Sequence, residues 1–74
     1  MNSLVLINEK DNLRAYYYLK EVKKISYGKM KDFRNEIDIL ANGHKKNESA
    51  IQILFTDDSV ATYGEKWHIE FRAF

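Results

Sequence analysis

Along residues 50–72 two sets of side chains take turns. Ile51, Ile53 and Phe55 alternate with Gln52, Leu54 and Thr56, and Trp67, Ile69 and Phe71 alternate with His68, Glu70 and Arg72. A period of two places each set on one face of a pleated strand. Between these runs lie Asp57-Asp58, the short stretch Ser59–Tyr63, and Gly64-Glu65-Lys66. The pattern predicts three antiparallel strands joined by two tight turns.

The rest of the chain must build a core around that unit with few resources. At 74 residues it is one domain, residues 1–74. A chain of this size is stable by only about 4–11 kcal/mol. It has no cysteine, which excludes a disulfide, a thiolate zinc site and a cysteine nucleophile. Nine Phe and Tyr residues and one Trp supply much of the apolar area. A homodimer is a second route to buried area. No stretch approaches the roughly 18 apolar residues of a membrane helix. Leu4–Ile7 is too short for the apolar region of a signal peptide. The expectation is a soluble, cytoplasmic protein, and the absence of cysteine fits a reducing compartment.

Ser3–Ile7 reads as a first strand, apolar at four consecutive positions, which suits burial on both faces. Glu9–Asn12 is a turn. Residues 13–25 carry two patterns. Ala15, Tyr18, Leu19, Val22 and Ile25 make a helical stripe, with Asp11 or Asn12 as its cap. Leu13, Ala15, Tyr17 and Leu19 also alternate as in a strand. The helix is favoured because the stripe reaches Ile25 while the alternation stops at Leu19. A second helix is expected over Lys29–Ala41, burying Met30, Phe33, Ile37 and Leu40, with Asn42-Gly43 as its stop. His44–Ser49 is a polar loop. The expected fold is α+β in the order β-α-α-β-β-β. It is a small antiparallel sheet with a C-terminal three-stranded meander packed against two helices.

Chemistry-bearing motifs are scarce. His44 and His68 are the histidines, and neither has a nucleophile or metal partner at diagnostic spacing. Asp57-Asp58-Ser59 lacks the remaining ligands of a calcium loop and is explained by a hairpin turn. Gly28-Lys29 lacks the further glycines of a phosphate loop. The expectation is a protein that is not an enzyme, with no cofactor and no metal.

Charge and aromatic content point to binding instead. Residues 10–34 hold eight basic and three acidic side chains; residues 35–74 hold four basic and seven acidic. Tyr16, Tyr17, Tyr18, Tyr27, Tyr63, Trp67, Phe71 and Phe74 exceed what one small core encloses, and such residues anchor interfaces. Trp67–Phe74 is a candidate edge strand. Tyr16, Tyr17, Lys20, Lys24 and Arg34 are expected as one contact patch, and Asp57, Asp58, Glu65 and Glu70 as an acidic one. The acidic patch would compete with nucleic acid for a basic groove on the partner. Basic side chains interleaved with tyrosines leave direct DNA or RNA binding as the rival. An oligomeric small-molecule sponge is a third class.

The run Ile53-Leu-Phe-Thr-Asp-Asp-Ser-Val-Ala-Thr-Tyr-Gly-Glu-Lys-Trp67 resembles the C-terminal ends of small proteins encoded by phages and prophages of low-GC bacteria. The cysteine-free, proline-free composition is similar to that group too. Among its members are host-takeover and anti-CRISPR proteins. The resemblance implies an inhibitor that binds a host protein or ribonucleoprotein complex, of CRISPR type or from replication, in the cytoplasm of a bacterial host. It carries over no functional residues.

Overall fold

The computed structural model describes residues 2–73. Phe74, one of the surplus aromatics, lies outside them. The first strand, β1 (Asn2–Asn8), is followed by the turn expected at Glu9–Asn12 and then by β2 (Leu13–Tyr18). A 3-10 turn (Leu19–Glu21) leads into β3 (Val22–Lys29). Two short helices follow, α1 (Met30–Phe33) and α2 (Glu36–Ala41). The chain ends in β4 (Ser49–Phe55), β5 (Val60–Tyr63) and β6 (His68–Ala73).

The α+β class and the antiparallel strands stand, but the strands form two three-stranded sheets. One has the order β2-β1-β6, the other β3-β4-β5. The middle strands face each other. Leu4 and Leu6 of β1 meet Ile51 and Ile53 of β4 in one buried cluster, rimmed by Ala15, Tyr17, Leu19, Val22, Ile25 and Ile69. Packing two inner faces removes their apolar area from water, and this is the main stabilising term.

Two expectations about individual strands are also corrected. Residues 13–25 are β2, the 3-10 turn and β3, not a helix. The residues turned inward are Ala15, Tyr17, Leu19, Val22 and Ile25. They alternate as far as Leu19. The 3-10 turn then adds a residue before Val22, and a register shift between Val22 and Lys24 adds another before Ile25. Each addition stretches the step from two to three, so a bent strand imitates a helical stripe. The C-terminal meander is also incomplete. β5 pairs with β4 around the Asp57-Asp58 turn, where Asp58 has φ +68°. β6 instead crosses over and pairs with β1, from Asn2↔Ala73 to Ile7↔His68. Apolar on both faces, β1 is held from both edges.

The helices cover one end of the second sheet's outer face, where Met30 and Ile39 bury Ala50 and Phe33 packs beside them. The expected single helix is split. Arg34 is extended (φ −134°, ψ 152°), and Asn35 starts a new helix by accepting the Asp38 N–H at 2.8 Å. The restart changes the helical phase. Ile39 turns inward, while Ile37 and Leu40 are 83% and 69% exposed. Gly43, at φ +72°, ends α2 as expected. No helix among the described residues is long and apolar enough to cross a membrane.

Candidate interaction surface

Ser3, Val5 and Ile7 lie on the outer face of β1, opposite the core-facing Leu4 and Leu6. Strand register places their neighbours in three rows. Tyr18 and Arg72 flank Ser3, Tyr16 and Glu70 flank Val5, and Arg14 and His68 flank Ile7. Val5 is 0% exposed although no helix covers this face. Cross-strand neighbours on β2 and β6 stand beside it on both sides, and long side chains at such positions shield a middle strand from water.

The result is a two-sided surface. On the β2 side Tyr16 and Tyr18 are 58% and 49% exposed. Lys20 sits 5.9 Å from the centre of the Tyr18 ring, a cation–π contact. On the β6 side Arg72 donates to Glu70 at 2.6 Å. That hydrogen bond leads in holding the Glu70 carboxyl below its usual value; desolvation opposes it, and the charges of Arg72, His68 and Arg14 add to the lowering. Glu70 therefore stays ionised amid cationic neighbours.

A second cluster fastens the loops at one end of the molecule. The Glu48 side chain is 6% exposed. Its Oε1 accepts from the Lys45 N–H at 2.7 Å and its Oε2 from the Glu65 N–H at 2.9 Å. His44 Nδ1 stands 3.3 Å from Oε1. Burial pushes the Glu48 carboxyl up, but the two backbone donors and His44 outweigh it and hold it below the usual range. Gly64 is buried against this cluster; a Cβ there would lie 2.5 Å from Glu48 Oε2. Among the described residues no three His, Asp or Glu side chains are grouped as metal ligands.

The residues expected as contact patches are dispersed. Tyr16 and Tyr17 point to opposite faces of β2. Tyr17 turns inward, where its hydroxyl bonds that of Tyr63 and its ring lies 5.0 Å from Phe55. Lys20 is in the 3-10 turn beside Tyr18. Lys24 lies on β3 in the other sheet, and Arg34 follows α1 and pairs with Asp38 at 3.1 Å. Asp57 and Asp58 occupy the β4–β5 turn, with Asp58 3.3 Å from Lys23. Glu65 lies in the β5–β6 turn at the far end of β5, and Glu70 on the outer face of β6. Of the expected set, register puts only Tyr16 and Glu70 on one face. Arg14, Tyr18, His68 and Arg72 join them there; none of the four is in the expected contact patches, although Tyr18 is one of the surplus aromatics. The signal for Arg14, Tyr16 and Tyr18 was present as the outward half of the strand-like alternation.

Compared with protein-family models, curated proteins and solved structures, the chain matches none of them.

Proposed function

We propose that this chain is a non-catalytic binding module that docks on a protein through the outer face of the β2-β1-β6 sheet. The observation that carries this reading is the pair Tyr16 and Tyr18, half exposed and side by side on one face of β2, with Arg14 on the same strand and Arg72 across β1 on β6. Tyrosine and arginine bury large area at low entropic cost and dominate the energetics of protein interfaces. The resemblance to small phage and prophage proteins supplies the class of partner: a host defence complex of CRISPR type, or a replication complex. The protein then works by occupying a surface that the complex needs.

Pull-down from a bacterial lysate tests it, with wild type beside the Tyr16→Ala/Tyr18→Ala double variant. The expected result is a specific partner retained by wild type and lost by the variant, with unfolding free energy shifted by under about 1 kcal/mol, as for surface positions. Equal retention by both proteins contradicts the assignment of this face.

One observation favours a second reading. Arg14, Tyr16, Tyr18 and Lys20 together offer stacking surfaces and cations, the requirements of single-stranded nucleic-acid binding. Titrating labelled single-stranded DNA and RNA across a salt series separates the two. Binding at low salt that falls steeply with salt supports the nucleic-acid reading; no binding at low salt removes it.

A further inference from the structure

Four strands lie at sheet edges, and two of them, β5 and β3, are unsuited to further pairing. β5 is four residues long. β3 displays Lys23, Lys24 and Lys29 and is broken by a bulge between Val22 and Lys24. β2 is six residues long and free of lysine, proline and bulges, but Arg14 is its one charge, so two copies of it would find no ion-pair partner in each other. Short strands, lysines and bulges are how sheet edges are kept from pairing. β6, like β2, has none of them, and of the two it alone carries charges of both signs. It keeps unbroken register with β1 over six residues, and it contains neither lysine nor proline. Among the described residues no backbone hydrogen bond joins it to an element other than β1.

β6 is also complementary to itself. When two copies run antiparallel about a two-fold axis at Phe71, Glu70 of each faces Arg72 of the other. Two ion pairs form by symmetry on the outer face. On the opposite face Phe71, 61% exposed in the single chain, meets Phe71 of the second copy. Centring the axis on Glu70 or on Arg72 would bring like charges face to face. Among the registers centred on Glu70, Phe71 and Arg72, charge therefore selects the one at Phe71. Glu70 and Arg72 already bond within one strand at 2.6 Å, so pairing exchanges partners without stranding a charge.

The geometry points to a homodimer formed by antiparallel pairing of β6 with β6 of a second copy, in the register that sets Glu70 against Arg72. The two sheets become one of six strands, β2-β1-β6-β6-β1-β2. An axis perpendicular to the sheet keeps both outer faces on the same side. The dimer then presents two Tyr16/Tyr18 pairs, one near each end of a continuous surface, and engages a repetitive or two-fold partner bivalently.

Sedimentation equilibrium over a concentration series tests the proposal, beside charge exchange. Wild type is expected to move from 8.8 kDa towards twice that mass. Glu70→Arg alone and Arg72→Glu alone each replace two attractions with two repulsions. Each should weaken dimerisation about tenfold or more, and the combined Glu70→Arg/Arg72→Glu variant should restore it. Because the chain has no cysteine, register is tested separately. Oxidised Phe71→Cys should yield a disulfide-linked dimer, whereas Ala73→Cys, facing Ile69 of the other copy, should not. A monomer at every concentration overturns the proposal. So does a dimer indifferent to the single reversals, or Ala73→Cys linking as fast as Phe71→Cys. The tyrosine variants leave these results unchanged, so failure here is distinct from failure of the docking face.

Discussion

Glu48 joins two loops through one carboxylate, and its behaviour follows from its donors. Removing it in Glu48→Ala leaves the Lys45 and Glu65 N–H groups without their acceptor. The expected cost is about 1–3 kcal/mol in urea unfolding, a large share of the total for a chain this small. The acid dependence has a definite sign. The folded carboxyl lies below its ordinary value of 4.5, so the unfolded chain takes up the proton first as pH falls. Its stabilisation is complete above about pH 4.5 and is lost as pH drops below that through the folded value. Glu48→Gln should therefore flatten the loss of stability on acidification. Gly64→Ala forces a methyl against the Glu48 oxygen that accepts from the Glu65 N–H, and should cost about 1–3 kcal/mol by thermal or urea unfolding. None of this was legible beforehand. His44–Ser49 and Gly64–Lys66 read as polar turns, and a contact between Glu48 and Glu65 leaves no trace in local periodicity.

Secondary-structure elements were legible wherever the local pattern ran without interruption. Ser3–Ile7, the Asp57-Asp58 turn, Ile51–Phe55 and the Asn42-Gly43 stop all appear where apolar alternation or turn chemistry placed them. Misreading began where the pattern changed phase. From Leu19 to Ile25 two inserted residues turned a strand's spacing into a helix's. At Arg34–Asn35 a helix stopped and restarted, exchanging Ile37 and Leu40 for Ile39 on the inward face. Asn35 was the available sign, since it favours the position that begins a helix over the interior. Asn35→Ala should thus cost about 0.5–2 kcal/mol, read by thermal unfolding. Ile37→Ser and Leu40→Ser, at exposed positions, should shift the same transition by no more than about 0.5 kcal/mol.

For the whole molecule, what sequence periodicity could not supply was the pairing of distant strands. β6 joins β1 across some sixty residues, and only that pairing creates the face bearing Arg14, Tyr16, Tyr18, His68, Glu70 and Arg72. Charge segregation along the chain did not survive folding, because β2 and β3 lie in different sheets and the two acidic turns lie at opposite ends of β5. The molecule is flat, with extents of 37 × 29 × 17 Å, and its inner core is a single layer between two middle strands. Ile53→Ala in that layer should cost about 2–5 kcal/mol, enough to populate the unfolded state at ambient temperature. The measurement that bears most directly on this account is partner affinity compared among three proteins: wild type, Tyr16→Ala/Tyr18→Ala on the sheet, and Ile37→Ser/Leu40→Ser on α2. The account predicts that only the tyrosine variant loses binding; loss in the α2 variant with the tyrosine variant unaffected would contradict it.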